Sequence, residues 1–345
     1  MDLSRIPVID YHTAGEPFRI VSDAVPPIPG VSVLERREHA RKEGSDADRL
    51  RQFLVNEPRG HADMYGGFVV PPDDTGAAFG VLFWHKDGFS TACGHGTIAL
   101  GTWAVESGLV DAIEDGDTDV VIDVPSGRVT ARVTCVAGEV TQASFRNVPA
   151  YVLAREVAVE TSRGRVLADL SYGGAIYASV RASDLGLAVV PGDHAALIAA
   201  GREVKGLLAP WASHPSDDRL SGIYGTILYD DLGDDAGGAT QGDTSGPVQR
   251  NVTVFADGEV DRSPCGSGTS ARLALLADEG RLEDGQVLTH GSIVGTSFSG
   301  RVTEHVTAEG RPAVVTEITG SAHLTGAATF SLDPRDGLGL GFTLR

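Results

Sequence analysis

One segment of this chain occurs twice, once in each half. TACGHGTIALGTWAVESGLV around Cys93 aligns without gaps with SPCGSGTSARLALLADEGRL around Cys265. The two cysteines are 172 residues apart (265 minus 93), close to half of the 345-residue chain. The shared positions are Cys93/Cys265, Gly94/Gly266, Gly96/Gly268, Thr97/Thr269, Ala99/Ala271 and Gly108/Gly280. A repeat at this spacing predicts a duplicated unit that carries one cysteine at the same structural place.

Two domains also suit the length, since a single domain usually holds about 100 to 200 residues. Strand-like runs such as IPVIDYHT and AFGVLFWH dominate both halves, and 44 glycines with 17 prolines favour many turns. We therefore expect a first domain of residues 1–150 and a second of residues 151–320. By the repeat spacing, the tail of residues 321–345 should return to the first domain. The stretch 229–246, rich in Gly and Asp, is typical of a surface loop.

Charge and apolar patterning exclude several classes of function. The net charge of −19 disfavours nucleic acid as a partner, because phosphate binding needs clustered Lys and Arg. No run has the length of a signal peptide or of a membrane span, which favours a cytoplasmic protein without a membrane partner. The three cysteines lack disulfide-framework and zinc-site spacing, and Cys135 lies in an alternating strand pattern typical of a buried structural thiol.

Each repeated cysteine precedes an apolar, helix-forming segment that ends near a glycine, which predicts two buried helices that begin at the cysteines. The first amides of a helix lack intrahelical acceptors and carry partial positive charge. A thiol in this position can have a lowered pKa and act as a base or nucleophile. Glycines beside it allow close approach of a ligand, whose carboxylate the free amides can bind.

Two such helix starts, if they face each other, would place two thiols around one small anion. His95 follows Cys93 by two positions, where Ser267 stands in the second copy, and Asp261 precedes Cys265 by four. Their acceptor atoms could hold an ammonium group, so that the site would suit an amino acid. Two simpler interpretations remain open: His95 as a solvated cap, and Asp261 as a partner of Arg262 or the cap of a turn.

The motifs together resemble the proline racemase family, which includes hydroxyproline epimerases and trans-3-hydroxyproline dehydratases. The resemblance covers essentially the whole chain. It rests on TACGHG, DRSPCGSGTSA, IDYHTAGEP, EPRGHADMYG, DLSYGGAIYA and ITGSAHLTG. It implies a diaminopimelate-epimerase-like α/β (α+β) fold of two pseudo-symmetric domains, each a β-barrel-like sheet around a central helix. It also implies catalysis without pyridoxal phosphate or metal, a proline or hydroxyproline substrate, and a homodimer.

By the same resemblance, Cys93 and Cys265 would be the bases on opposite faces of the α-carbon. The carboxylate would be bound by main-chain amides and the ring nitrogen by side chains of His95 and Asp261. The amides are those of Gly94, His95, Gly266 and Ser267. Ala92 departs from the Met that is common in the family, which suggests a reshaped pocket.

Two aromatic positions and the second cysteine bear on the reaction. Tyr65 resembles the Tyr that the dehydratases tend to carry at this place, which favours a hydroxylated substrate. Phe255 resembles the aromatic residue of the racemase and dehydratase branches. Cys265 favours a racemase or epimerase, since dehydratases usually carry Thr there and elimination needs no acid on the opposite face. A dehydratase is the alternative. A cysteine hydrolase or a non-catalytic amino-acid binder are further alternatives, although a hydrolase would leave Cys265 without a role.

Overall fold

The computed structural model describes residues 1–233 and 244–344. The chain forms two compact units, one of residues 1–143 with 321–345 and one of residues 144–320. The boundary lies a few residues before the position expected from the repeat. That the two units arose by duplication of one domain stays a prediction.

The first unit contains an interrupted series of strands with helices on and within it. Its helices are α1 (Val33–Ala40), α2 (Asp46–Val55) and α3 (Gly94–Glu106). Its strands are β1 (Ile6–Thr13), β2 (Glu16–Val21), β3 (Gly66–Val70), β4 (Phe79–His85), β5 (Gly88–Phe89), β6 (Gly116–Val124), β7 (Gly127–Val136) and, from the tail, β18 (Ala322–Phe330). Strand β8 (Glu139–Arg146) crosses the boundary between the units.

The second unit repeats this composition. Its helices are α4 (His194–Leu207) and α5 (Gly266–Asp278). Its strands are β9 (Ala150–Thr161), β10 (Gly164–Tyr172), β11 (Ile176–Arg181), β12 (Ile223–Asp231), β13 (Thr244–Phe255), β14 (Glu259–Asp261), β15 (Gln286–Ser292), β16 (Ser297–Ala308) and β17 (Arg311–Gly320).

The order of paired strands is the same in both units. In the first it runs β18, β1, β2, β3, β4, β6, β7, and the pairs β2/β3 and β4/β6 are parallel. In the second it runs β9, β10, β11, β12, β13, β15, β16, and the pairs β11/β12 and β13/β15 are parallel. Strand β17 pairs with both β16 and β9, which closes the second unit into a barrel. The short strands β5 and β14 pair at equivalent places.

Each unit has a buried helix that follows its short strand. Residues 94–104 of α3 and 266–276 of α5 are buried throughout. Helix α5 packs against β9, β10, β11, β16 and β17 of its barrel. The predicted α+β fold of two units with the same topology, each built around a central helix, is confirmed.

The sequence patterns differ from the structure in three places. The segment 35–56, whose charged and helix-forming residues predict one helix, forms α1 and α2 instead, because Ser45 interrupts it and caps α2 by accepting from the Asp48 amide (3.0 Å). Strands β9, β15 and β18 and the short strands β5 and β14 were not predicted. Of the predicted loop 229–246, residues 234–243 lie outside the described part of the chain, whereas its two ends belong to β12 and β13. No helix in the described ranges is both long and apolar enough to cross a bilayer.

Candidate active site

Cys93 is the N-cap of helix α3 in the first unit. Its backbone is extended (φ −158°), and its Sγ accepts a hydrogen bond from the Gly96 amide at 3.2 Å. Its carbonyl accepts from the amide and the hydroxyl of Thr97 at 3.0 and 2.8 Å. The repeated Cys-Gly-x-Gly-Thr pattern thus holds the sulfur over the first turn, where the partial positive charge of the helix is concentrated.

His95 lies on the same turn and is buried beside the thiol. Its Nε2 is 3.4 Å from Cys93 Sγ, and its carbonyl accepts from the Thr13 hydroxyl at 2.9 Å. Its ring contacts Phe18 and Tyr65 edge to face, with centroids 5.9 and 5.1 Å away. The interpretation of His95 as a solvated cap is therefore wrong, because only 3% of the residue is exposed.

Tyr65 packs against the His95 ring together with Phe18. It directly precedes β3, is buried, and its hydroxyl forms a short hydrogen bond with Ser90 Oγ. The first unit therefore brings together three of the residues predicted for the site, namely Cys93, His95 and Tyr65. The same unit also pairs the hydroxyl groups of Tyr65 and Ser90, two residues that no sequence pattern connects.

Cys265 precedes helix α5 at the equivalent place of the second unit, but with a different backbone. Its φ is +64° and its ψ 101°, which is uncommon for a residue with a Cβ. Several bonds hold this conformation. Its amide donates to Ser263 Oγ (3.0 Å), and its carbonyl accepts from the Thr269 amide (2.7 Å) and hydroxyl (2.8 Å).

Asp261 supports the same turn from the end of β14. Its Oδ1 accepts from the amide and the hydroxyl of Ser263 at 2.8 and 2.7 Å, and Ser263 in turn holds the Cys265 amide. The turn-capping interpretation of Asp261 is thus observed. Asp261 is buried, with 3% of the residue exposed, and its carboxylate raises the pKa of the Cys265 thiol.

Ser267 and Phe255 lie near Cys265 with two tyrosines. The Ser267 hydroxyl is 2.6 Å from the hydroxyl of Tyr177, which is itself 3.8 Å from Cys265 Sγ. Phe255 ends β13 and stacks on Tyr224 (centroids 5.6 Å apart), whose ring meets Tyr177 edge to face. The second unit therefore brings Asp261 and Ser267 to the turn at Cys265 and connects Phe255 with it through Tyr224 and Tyr177.

Burial raises the pKa of the Cys265 thiol well above its ordinary value, and the Asp261 charge raises it further. The Gly268 amide and the hydroxyls of Tyr177 and Thr253 act in the opposite direction. The expectation that a helix start lowers the thiol pKa is wrong for Cys265, because desolvation outweighs the favourable amide. The surroundings of Cys265 thus favour the protonated thiol.

Tyr177, Ser90 and Ser263 were not identified from the sequence. Tyr177 stands in the segment DLSYGGAIYA, which carried the family resemblance, but no pattern connects it with Cys265, 88 residues later. Ser263 stands two residues before Cys265, and its alternation with Asp261 in DRSPC is a local signal for a side-chain-capped turn.

Comparison with known proteins identifies the family. A family model described as proline racemase matches residues 8–343. The chain belongs to the proline racemase family. A trans-3-hydroxy-L-proline dehydratase of Bacillus cereus is 40% identical over 347 residues, and a 3-hydroxyproline 2-epimerase of Burkholderia multivorans is 42% identical over 349 residues. Each alignment covers 100% of both proteins.

A solved structure of the proline racemase family confirms the fold of the whole chain. The hydroxyproline epimerase of Agrobacterium vitis, solved with bound trans-4-hydroxy-L-proline, superposes with a TM-score of 0.90 at 31% identity. The superposition covers 99% of this chain and 96% of that one. The family thus contains both isomerases and dehydratases at similar distance from this chain, so that similarity alone does not select the reaction.

Proposed function

We propose that this protein is a cofactor-independent racemase or epimerase that inverts the α-carbon of proline or a hydroxyproline. The observation that carries the proposal is the equivalent placement of Cys93 and Cys265. Each cysteine directly precedes the buried central helix of its unit and follows an equivalent short strand, β5 or β14. The two units have the same strand order. A structural role for one buried cysteine would not require the second copy.

Inversion needs a base on one face of the α-carbon and an acid on the other. The raised pKa of Cys265 makes it the proton donor in the resting enzyme. Cys93, whose sulfur already accepts the Gly96 amide, takes the part of the thiolate that removes the α-proton. When the proton from Cys265 is delivered to the opposite face, the two thiols have exchanged protonation states, and the reverse reaction uses the same groups.

The remaining predicted residues hold the substrate in this proposal. The first amides of α3 and α5, from Gly94, His95, Gly266 and Ser267, bind the carboxylate, because helix starts favour anions. His95 and Asp261 accept the hydrogen bonds of the ring ammonium. Tyr65 and Phe255, both buried, shape the space around the ring.

A trans-3-hydroxy-L-proline dehydratase is the second candidate. The paired hydroxyls of Tyr65 and Ser90 beside His95 favour it, because they suit a hydroxylated substrate. The name of the Bacillus cereus relative also favours it. Against it stands Cys265, since loss of water after α-proton removal needs no thiol on the opposite face. A cysteine hydrolase would need only one of the two thiols, and a non-catalytic binder would need neither.

We also infer a cytoplasmic location and a homodimeric state. Thiols that alternate between protonated and ionised forms must stay reduced, as they do in the cytoplasm, and all three cysteines are free. The homodimer is supported by strand β18, whose residues 324–329 are all exposed and carry no ionisable side chain. Strand β18 pairs with β1 along one edge, whereas the equivalent strand β9 pairs with β10 on one edge and with β17 on the other. An open, uncharged edge of this kind is a template for pairing with a second copy.

Proton NMR in deuterated water tests the function with the unmodified enzyme. L-proline, trans-4-hydroxy-L-proline and trans-3-hydroxy-L-proline are incubated separately. We expect deuterium at the α-carbon together with the inverted stereoisomer for at least one of them. Loss of the 3-hydroxyl group without any inverted product would select the dehydratase, and absence of exchange in all three would reject catalysis at the α-carbon of these compounds.

A further inference from the structure

The hydroxyl of Tyr177 stands between the second thiol and a neighbouring serine. Tyr177, on β11, is fully buried and belongs to the same apolar cluster as Cys265 and Ala271. Its hydroxyl oxygen lies 2.6 Å from Ser267 Oγ and 3.8 Å from Cys265 Sγ. The first distance is that of a strong hydroxyl hydrogen bond, and the second is within the range of a bond to sulfur.

A pair of hydroxyl groups can serve a thiol in either protonation state, because each hydroxyl both donates and accepts. Beside a neutral thiol, Cys265 donates to Tyr177 and Tyr177 donates to Ser267. Beside a thiolate, Ser267 donates to Tyr177 and Tyr177 donates to the sulfur. The two arrangements differ only in the orientation of the hydroxyl hydrogens, with the heavy atoms in place.

We infer that Tyr177 and Ser267 form a reversible hydrogen-bond pair that stabilises both protonation states of Cys265, with Tyr177 as a positioning residue. This rests on the proposed function in one respect, that Cys265 changes protonation state during turnover. The proton itself moves only between Cys265 Sγ and the substrate α-carbon. The hydroxyl pair reverses its direction without gaining or losing a proton, so that no further reactant is needed.

Other groups of the second unit also act on Cys265, but none has this reversibility. The Asp261 carboxylate on β14 disfavours the thiolate by its charge. The Gly268 amide on α5 is only a donor. The single proton of the Thr253 hydroxyl on β13 has two competing acceptors, the Cys265 thiolate and Asn251 Oδ1 at 3.3 Å. Tyr177 is linked to a second hydroxyl that can take over as donor.

The test measures the Cys265 thiol directly, in a protein with Cys93→Ser and Cys135→Ser so that a single thiol remains. The rate of alkylation by iodoacetamide at fixed pH reports the thiolate fraction. The hydrogen bond that Tyr177 donates to a thiolate is stronger than the one it accepts from a neutral thiol, by roughly a factor of ten, so Tyr177→Phe should lower this rate about tenfold at pH values below the thiol pKa. Ser267→Ala should lower it by a smaller factor, and the double variant should show less than the product of the two effects.

Tyr151→Phe is the matched control, because it removes a buried phenol of the same unit that binds His214 (3.0 Å) and not the thiol. Its alkylation rate should equal that of the parent protein. A Tyr177→Phe rate equal to the parent rate would overturn the inference, and if that variant does not fold, an unchanged Ser267→Ala rate would do so. If Tyr177→Phe lowers the alkylation rate but the unmodified enzyme exchanges no α-proton, the hydrogen-bond pair is supported and only the proposed function is rejected.

Discussion

Cys93 and Cys265 occupy the same place in the repeat but differ in backbone and surroundings. Cys93 has a relaxed extended φ and binds the Gly96 amide through its sulfur, whereas Cys265 has a φ of +64° and lies beside a phenol. A non-glycine residue in this region stores about 1 to 3 kcal/mol of strain, which the Ser263 and Thr269 bonds must offset. The difference fits the proposed mechanism, in which one thiol rests protonated and the other ionised.

The glycine three residues after each cysteine leaves room for the sulfur. A Cβ at Gly96 would lie 2.4 Å from Phe18 Cε2 and 2.8 Å from Cys93 Sγ, and one at Gly268 would lie 2.9 Å from Cys265 Sγ. Gly96→Ala and Gly268→Ala should therefore move the thiols and lower kcat about 100-fold, the typical effect of a misplacement near 1 Å. Steady-state kinetics with the preferred substrate of the NMR panel measure this.

Gly206→Ala provides the control for the two glycine substitutions. Gly206 is also helical, and a Cβ there would meet nothing within 4 Å. Its kcat should remain that of the wild type, with unchanged or slightly increased stability. Wild-type kcat in both Gly96→Ala and Gly268→Ala would show that the sulfurs do not need these positions.

Among the elements, β15 contributes a buried histidine behind helix α5. His290 is fully buried, and its Nδ1 lies 2.8 Å from Thr269 Oγ1, which also binds the Cys265 carbonyl. Burial lowers the pKa of His290 to about 3, and the positive charge of Arg272 contributes to the same shift. The imidazole thus stays neutral in the folded protein over the whole physiological range.

The low pKa of His290 makes stability depend on pH. In the unfolded chain His290 binds a proton below about pH 6.5, whereas in the folded chain it does not until about pH 3. Its contribution is therefore fully present above pH 6.5 and is lost on acidification, by about 1.4 kcal/mol per pH unit. Urea unfolding from about pH 7 to about pH 5 should show a smaller loss for His290→Asn than for the wild type.

His305→Asn is the control for this pH dependence. Its side chain is 61% exposed and bonds only to the exposed Asp284 among the contacts described for it. This variant should keep the wild-type dependence of unfolding free energy on pH. Parallel curves for the wild type and His290→Asn would contradict the assignment of this acid sensitivity to His290.

The elements that the sequence predicted well are those with one clear buried face. IPVIDYHT matches β1, and both apolar segments after the cysteines form the central helices. Strand β18 was missed because its residues are exposed on both faces, which removes the alternation that marks a strand. The break between α1 and α2 was missed because the residues on both sides of Gly44 and Ser45 are helix-forming. The helix is interrupted only by the local hydrogen bond with which Ser45 caps α2.

At the scale of the whole molecule, the open edge of β18 predicts the oligomeric state. Leu324→Lys and Ala327→Lys each place a charge on this strand, opposite Tyr11 and Ile9 of β1, and both positions are exposed. Each should convert a dimer into a monomer in light scattering, because a buried lysine opposes pairing of strand edges. Leu167→Lys, at an exposed position of β10, should leave the mass unchanged. A monomeric wild type, or dimers in both β18 variants, would contradict the proposed interface.

The sequence predicted those residues of the candidate site that stand in the repeat or in the family motifs. Cys93, His95 and Tyr65 meet in one unit, and Cys265, Ser267 and Asp261 meet in the other. Tyr177 could not be found in this way, because its approach to Cys265 depends on the pairing of β11 within the barrel rather than on spacing along the chain. That the two thiols face one substrate stays a prediction.

The most direct test of the two-thiol mechanism is the fate of the α-proton in Cys265→Ser, followed by proton NMR in deuterated water. A serine hydroxyl is far too weak an acid and base to replace the thiol at neutral pH. We predict that Cys265→Ser interconverts no stereoisomers, while Cys93 still exchanges the α-proton of one of them. Inversion at a rate near that of the wild type would contradict the central claim. So would loss of water from trans-3-hydroxy-L-proline at the wild-type rate, which would assign the enzyme to the dehydratases.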